Sequence, residues 1–188
     1  DWLDRLRQAA YRESHTGTVT PLSNNATICS YPRFCADNPL PPGQNTASLD
    51  ALCAHTNAGM AVPIPTAVGF CMYIRRDCLA QTGPFDAEHF GTGYGEENDF
   101  CMRAARHGWQ HLLAVDTFVR HVGGVSFGAA KSPREAAAQA ILQQLHPDYE
   151  ATVQAHLAQD PARAWREALD IARLNSSPSP VPPVTYKP

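Results

Sequence analysis

An apolar run of eight residues, Ala67–Ile74, constrains the fold of this chain more than any other feature of the sequence. The run contains Val, Phe, Tyr and Ile, and it ends at Arg75-Arg76. This length and composition predict a β-strand. Other elements have to cover such a strand, and 188 residues are enough for one domain with a hydrophobic core.

Helical and strand patterns occupy most of the remaining chain. Apolar residues at helical spacing predict a helix over residues 2–13. Residues 21–65 are rich in Pro, Asn, Ser and Thr, and they predict a long irregular crossing with a helix near Ser48–Thr56. The other predicted elements are the strands Gly17–Thr20 (stopped by Pro21), Leu112–Val115 and Thr117–Arg120, and the helices Asp77–Gln81, Glu97–His107, Pro133–Leu145, Tyr149–Gln159 and Pro161–Leu174.

Composition and charge limit the classes of function. The sequence is 44% hydrophobic and 18% charged, which is ordinary for a globular protein, and its net charge of -3 indicates neither nucleic-acid binding nor a polybasic membrane surface. No apolar run reaches the roughly 20 residues that a membrane-spanning helix needs. The six cysteines form no CxxC pair, so we expect no structural zinc site and reduced cysteines in a cytosolic protein.

The segment Gly91–Trp109, GTGYGEENDFCMRAARHGW, carries the strongest chemical signal. Two adjacent carboxylates, Glu96 and Glu97, lie between a glycine-rich loop and the start of a helix, where glycines allow a close approach to a ligand. Repulsion between the carboxylates raises at least one pKa, whereas the helix N-terminus favours the charged form, and the sequence leaves the balance open. Asp99 and Arg103 have the i,i+4 spacing of a helical ion pair.

Two structural explanations of this segment compete with a catalytic one. Acidic residues at the start of a helix complement its dipole, worth about 0.3–1 kcal/mol each, and the acidic cluster alone does not decide between that role and catalysis. A phosphate-binding glycine loop is the other explanation. We reject it because GTGYG is not GxGxxG and because the two glutamates after it would repel a phosphate.

The order of motifs around this segment resembles a known family. VGFCMYIRRDCL is followed by TGPFD, GYGEENDFCMRA, HGW and VRHVGGVSF, and PLSNNATICSYP precedes them all. This succession resembles the C-terminal, acceptor-side half of an inverting family 2 glycosyltransferase of the GT-A fold, over residues 1–130. The resemblance implies an α/β fold, with a partial mixed sheet flanked by helices. A helical extension over residues 131–174 and a proline-rich tail or linker over residues 175–188 follow.

The resemblance also implies a reaction. In this family an acceptor hydroxyl attacks the anomeric carbon of a nucleotide-activated sugar, the diphosphate leaves, and the configuration inverts. A carboxylate of the acidic motif acts as general base. The family's motif is an acid, Asp, any residue and Asp, and Glu96-Glu97-Asn98-Asp99 fits it with Glu in the second place. The resemblance therefore implies Glu97 as the base, with Glu96 as the next candidate, and it leaves Asp99 a structural role with Arg103.

Further site residues follow from the same resemblance. His121, in HVGGVS, is implied as a metal ligand beside the diphosphate, and the alternative is a histidine without a metal. Asp86 either binds a hydroxyl or caps its turn. Trp109 either stacks on a sugar ring or belongs to the core at the start of a strand. The loop residues expected to contact substrate are Gly93, Tyr94 and Gly95.

The Asp-x-Asp motif of the family, which binds the metal and the nucleotide sugar, does not occur: the eleven aspartates include no pair two residues apart. The resemblance implies a divalent metal, Mg²⁺ or Mn²⁺, held mainly by that missing segment. In the family the segment lies shortly before a helix like the one at residues 1–11. We therefore expect the nucleotide-binding half to be missing, the chain to be inactive alone, and an exposed sheet edge to allow self-association.

The partners that the resemblance implies are a nucleotide-sugar donor and a glycan or lipid-linked acceptor, and no nucleic acid. The implied setting is bacterial polysaccharide or glycan assembly in the cytoplasm or at the inner membrane's periphery. Two other functions stay open. A non-catalytic carbohydrate-binding module on the same scaffold would bind sugar independently of Glu97. A metal-dependent hydrolase using Glu96, Glu97 and His121 is disfavoured because the sequence has no HExxH motif.

Overall fold

A four-stranded mixed sheet forms the centre of the computed structural model, which describes residues 1–91, 94–122 and 131–176. The strands are β1 (Thr16–Leu22), β2 (Ala61–Ile64), β3 (Tyr73–Ile74) and β4 (Gln110–Phe118), in the spatial order β2-β4-β1-β3. β1 runs parallel to β4, while β3 is antiparallel to β1 and β2 is antiparallel to β4. The carboxyl ends of β1 and β4 therefore lie at the same edge of the sheet.

Helices flank this sheet and continue beyond it. They are α1 (Trp2–Arg12), α2 (Thr46–Thr56), α3 (Arg76–Thr82), α4 (Ala87–Phe90), α5 (Glu96–Arg106), α6 (Lys131–Leu145), α7 (Tyr149–Gln159) and α8 (Arg163–Ser176), with a 3₁₀ turn at Thr27–Cys29. The predicted α/β architecture, a mixed sheet flanked by helices and followed by C-terminal helices, is confirmed.

The core lies on both faces of the sheet because the side chains of β4 alternate between them. Leu113 and Val115 belong to the largest buried cluster, which also contains residues of α2 and α8. Ala114, between them, belongs to a second cluster with α1. A third cluster packs Phe100 and Cys101 of α5 against the chain near α3. All seven residues of β1 are buried, as expected for a central strand.

Several helices form where capping and spacing predict them. α1 begins with a capping box between Asp1 and Asp4, in which each side chain accepts from the backbone of the other. α3 ends at Gly83 (φ +85°) and α5 ends just before Gly108 (φ +87°), both in the left-handed region that favours glycine. α6, α7 and α8 also lie within two residues of their predicted bounds. Residues 177–188 of the predicted tail lie outside the described ranges.

The prediction of one strand over Ala67–Ile74 is wrong, because only Tyr73–Ile74 pairs with the sheet. The backbone donors at the start of the run go to side chains instead. Ala67 N donates to Cys101 Sγ at 3.2 Å, and Val68 N donates to Thr20 Oγ1 at 3.4 Å. The apolar side chains of the run still pack against the core, so its hydrophobicity reports burial and not strand pairing.

The predicted strand limits at Pro21 and Asp116 also need correction. β1 continues through Pro21 to Leu22, and the pairing with β4 shifts register between these two residues. Residues 110–118 form one strand and not two. Asp116 does not interrupt β4 because its carboxylate accepts from Gly59 N at 3.0 Å and from the Thr117 hydroxyl at 2.9 Å. The irregular crossing contains β2, which the sequence did not predict.

Two findings concern the environment of the chain. Every helix of the described residues is too short or too polar to span a membrane. The six cysteines, all within the described residues, are free thiols, as predicted.

Candidate functional site

The acidic pair, Glu96 and Glu97, occupies the first two positions of α5. Gly95 precedes them with φ +90°, and a Cβ there would lie 2.8 Å from the Phe90 ring and 3.1 Å from Ala138 Cβ. Only glycine therefore suits this position, on account of both its backbone and its neighbours. The tight contact fixes the start of α5 between α4 and α6.

Glu97 is partly buried beside an exposed glycine. A Cβ placed on Gly69 would lie 3.6 Å from Cγ and Cδ of Glu97, so the two residues are in contact. Burial raises the pKa of the Glu97 carboxyl, and the charge of Glu96 raises it further, against backbone hydrogen bonds at Glu97, Gly95 and Gly69 that lower it. The largest contribution is therefore burial, which the sequence did not predict, and the repulsion from Glu96 is smaller.

None of the largest contributions to the pKa of Glu97 comes from a cation of the described residues. Its carboxyl is therefore not locked in an ion pair within the described part of the chain. A carboxylate that is poorly hydrated and lacks a countercharge binds a proton more readily than an ordinary glutamate. This is the property that a general base at neutral pH requires.

His121 lies three residues beyond β4 and is held by two neighbouring asparagines. Its backbone N–H donates to Asn24 Oδ1 at 2.9 Å, and its carbonyl accepts from Asn24 Nδ2 at 3.0 Å. Its ring nitrogen Nδ1 donates to the Asn25 carbonyl, and the ring stacks on Phe70 with centroids 5.2 Å apart. Because a carbonyl only accepts, Nδ1 carries the hydrogen, and the lone pair of the neutral ring is on Nε2.

The chain segment between Val68 and Phe70 brings the two predicted groups together. Gly69 contacts Glu97, and the next residue, Phe70, stacks on His121. Two consecutive residues of the apolar run, Gly69 and Phe70, therefore contact the two predicted groups, one each.

His121 can supply one ligand to a divalent metal. Nε2 of His121 has the orientation typical of metal-bound histidines, whose other ring N–H donates to a carbonyl. Over the described ranges, His, Cys, Asp and Glu form no group of three or more that would hold an ion. A metal here would need most of its ligands from elsewhere.

Asp99 has the structural role that its spacing predicts. It is buried, and Oδ2 accepts from Arg103 Nε at 2.8 Å, which confirms the i,i+4 pair. Arg103 also donates to the carbonyls of Thr82 and Pro84, at 2.7 and 3.0 Å, and ties α5 to the end of α3.

Asp99 has a second partner that sequence reasoning missed. Its Oδ1 accepts from Nε2 of His146, a buried residue just after α6, at 2.8 Å. The two residues are 47 positions apart, and a lone histidine after a helix carries no pattern that would have identified it.

Asp86 and Tyr94 border two open depressions. Asp86 caps α4, accepting from His89 N at 3.0 Å, and the hydrogen bonds from His89 lower its pKa. It borders a depression of about 460 Å³ with Arg103. Tyr94 borders another, about 340 Å³, between α4 and α6. Asp86 thus has the capping role that the sequence offered as one alternative. Gly93 lies outside the described residues.

Trp109 lies at the opposite end of the sheet from His121. It directly precedes the nine-residue β4, whereas His121 follows that strand, so roughly 30 Å of extended chain separate them. Trp109 Nε1 donates to Gln81 Oε1 at 2.8 Å, and the Arg75 guanidinium lies 5.3 Å from the ring centroid. The structure does not bring Trp109 together with the acidic pair.

Comparison with known proteins identifies the family. The model of the family described as "Glycosyltransferase like family 2" matches residues 48–145, slightly more than half of the 188 residues, and this range contains Glu96, Glu97 and His121. Comparisons with curated proteins and with solved structures gave no match. The mixed sheet with flanking helices is consistent with a partial GT-A-like domain, and the family supports a function of the glycosyltransferase type. The chain belongs to the family 2-like glycosyltransferases.

Proposed function

We propose that this chain provides the acceptor-activating part of an inverting sugar transferase, with Glu97 as the general base. The supporting observation is the state of the Glu97 carboxyl. It lies at the start of α5 beside exposed Gly69, its pKa is raised by burial and by Glu96, and none of the largest contributions to that pKa comes from a described cation. Glu96 is the second candidate for the base.

The proposed step balances as a single displacement. The acceptor hydroxyl gives its proton to a Glu97 carboxylate oxygen, which must approach within about 2.6–3.2 Å. The acceptor oxygen forms a bond to the anomeric carbon while the bond from that carbon to the diphosphate oxygen breaks. The diphosphate leaves with the electron pair, and the new bond has the opposite configuration.

A divalent metal, when bound, would neutralise charge on the leaving diphosphate. In this chain His121 Nε2 is the residue that would contact it, since Nδ1 is held by the Asn25 carbonyl. The sequence has no Asp-x-Asp, so we propose that the other ligands and most donor contacts come from residues outside this sequence, and that the 188 residues alone do not transfer sugar.

The proposed partners are a nucleotide-sugar donor and a glycan or lipid-linked acceptor. Residues around the start of α5, including Tyr94 and Gly95, would then contact the acceptor. A cytoplasmic setting in bacterial polysaccharide or glycan assembly is part of the proposal. Six free thiols support a reducing compartment.

The test is sugar transfer by the native protein that carries this sequence, with Glu97→Gln as the variant. Because general-base catalysis contributes roughly 10²–10⁴-fold, we expect kcat to fall by about that factor while donor affinity stays the same. Release of nucleoside diphosphate from nucleotide sugars, with Mg²⁺ or Mn²⁺, gives the rate.

Glu13→Gln is the matched control, since it removes one carboxylate from an exposed position far along the chain. It should retain full activity. If the Glu97→Gln variant transfers sugar at the native rate, the base assignment is wrong. If the native protein binds sugar without transferring it, and Glu97→Gln binds equally well, a carbohydrate-binding module is the better description.

A further inference from the structure

The corner between α6 and α7, residues 146–149, reaches the acidic motif from a distant part of the chain. His146, its first residue, is almost fully buried against α5. Nε2 lies 2.8 Å from Asp99 Oδ1, and Nδ1 lies 2.9 Å from Arg106 Nη2. Arg106 also donates to the Leu145 carbonyl at 3.0 Å. The contacts are seven residues apart on α5, so one imidazole spans two turns of one helix face.

These contacts define the protonation of His146. A guanidinium only donates, so Nδ1 accepts from Arg106, and the ring hydrogen is on Nε2, where it is donated to Asp99. The neutral ring thus satisfies both partners at once. Asp99 is two residues after Glu97, so a shift of the imidazole would move the first turn of α5.

Tyr149, the last residue of the corner, is close enough to Glu97 for the charge of that carboxylate to act on its phenol. Its pKa is raised to about 12, first by burial and then by the negative charge of Glu97, while a hydrogen bond with the Thr66 side chain lowers it. The phenol therefore stays protonated at neutral pH. Its ring is partly buried, whereas Gly69, which contacts the Glu97 side chain, is solvent-exposed.

We infer that the α6–α7 corner positions and shields the general base: His146 holds the first turn of α5 through Asp99, and Tyr149 keeps water from one side of Glu97. This inference rests on the proposed role of Glu97. His146 and Tyr149 act through other residues and are positioning residues, not catalytic ones.

The charges near Glu97 make exclusion of water the controlling factor. Among the largest contributions to the pKa of Glu97, the one side-chain charge is that of Glu96, and Glu97 in turn acts on Cys101 and Tyr149. Burial is the largest contribution, so the base strength depends first on how well the fold excludes water. Loosening the corner should therefore weaken the base without removing any charge.

The experiment follows the Glu97 carboxyl directly, by a pH titration of its ¹³C-labelled Cδ in the NMR spectrum of the 188-residue chain. In His146→Gln, the side-chain amide can place an N–H donor where Nε2 lies. In His146→Asn, the shorter side chain can place an acceptor where Nδ1 lies but does not reach the position of Nε2. We expect His146→Gln to titrate as the native chain does, and His146→Asn to shift the Glu97 midpoint downward. If the two variants titrate alike, the positioning role of His146 is refuted.

A second pair guards against loss of folding at the buried histidine. Tyr149→Ala admits water beside Glu97, whereas Tyr149→Phe keeps the ring, so only the alanine variant should lower the midpoint. Thermal unfolding is measured in parallel, and a lower Tm with an unchanged midpoint would mean a merely structural role. The proposed function fails separately, if Glu97→Gln leaves transfer by the native protein intact while these midpoints shift as expected.

Discussion

At the residue scale, His111 shows how burial fixes the state of a titratable group. The ring is buried between β1 and α5. Nδ1 lies 2.8 Å from Thr18 Oγ1, and Nε2 lies 3.0 Å from the Cys101 carbonyl. The carbonyl only accepts, so Nε2 carries the hydrogen and the hydroxyl donates to Nδ1. Desolvation lowers the pKa of His111 to about 4, despite the hydrogen bond to Cys101, which raises it.

His111 therefore makes the fold sensitive to acid. The pKa of His111 is about 4 in the folded chain, against 6.5 for an ordinary histidine, so the unfolded chain binds more protons between these two pH values. Its contribution to the free energy of unfolding is complete above pH 6.5 and falls as the pH drops to 4, by about 3 kcal/mol. Urea unfolding at pH 7 and pH 4 measures this loss.

His111→Gln should lose that share of the pH dependence, whereas His15→Gln, at an exposed position, should keep it. The variants have to be compared because two other groups also make the free energy of unfolding depend on pH. Burial lowers the pKa of His156, whose contribution falls in acid as that of His111 does. The raised pKa of Glu97 has the opposite effect, because its contribution falls as the pH rises above the ordinary glutamate range. If His111→Gln unfolds with the native pH dependence, this residue is not the source.

Local spacing predicted some residue contacts and not others. Asp99 and Arg103 are four apart on one helix, so geometry within α5 alone brings them together. His146 meets Asp99 only because α6 packs across α5, and nothing near either residue in sequence encodes that packing. Glu97 lies between these cases: its position at a helix start was predicted, but the burial that raises its pKa depends on Gly69 and Tyr149.

At the element scale, the start of α5 depends on one glycine. Gly95 combines a left-handed backbone with close contacts to Phe90 and Ala138, whereas Gly108 also has a positive φ (+87°) but open space around it. The two positions separate backbone strain from steric crowding.

Gly95→Ala should therefore be more destabilising than Gly108→Ala. The left-handed backbone alone costs about 1–2 kcal/mol for a residue with a Cβ, and crowding at Gly95 adds about 1–3 kcal/mol. Urea denaturation of both variants measures the difference. Equal losses would mean that Phe90 and Ala138 move aside freely and do not fix α5.

The elements that the sequence predicted well are those with local signals. The glycines after α3 and α5 and the apolar spacing of α1 are short-range patterns, and those helices form as predicted. The run Ala67–Ile74 has no such signal for its backbone partners. Its hydrophobicity predicts burial, but whether its N–H groups pair with a strand or with Thr20 and Cys101 depends on tertiary packing.

At the scale of the whole molecule, the C-terminal helices complete the core of the sheet. Leu169 of α8 and Ala162 before it belong to the same buried cluster as Leu113 and Val115 of β4. The Tyr31 hydroxyl donates to Asp170 at 3.0 Å, joining α8 to the turn after β1. The region matched by the family ends at residue 145, so part of this core lies beyond it.

Leu169→Ala should thus destabilise the whole fold. Deleting a fully buried leucine side chain costs about 2–5 kcal/mol, and the transition should stay cooperative because the cluster is shared with the sheet. Leu174→Ala, on the same helix but 66% exposed, should change stability by less than about 0.5 kcal/mol. Thermal and urea unfolding measure both. A separate early transition in Leu169→Ala would show that α8 folds independently.

One rim of the sheet is formed by β2, where Pro63 pairs with Leu112 and is itself exposed. A proline has no N–H, so a chain laid along this rim would meet a gap in the row of donors that strand addition requires. Pro63 therefore disfavours fibrous stacking on this side, because a complete row of donors along β2 would allow neighbouring copies to add as further strands.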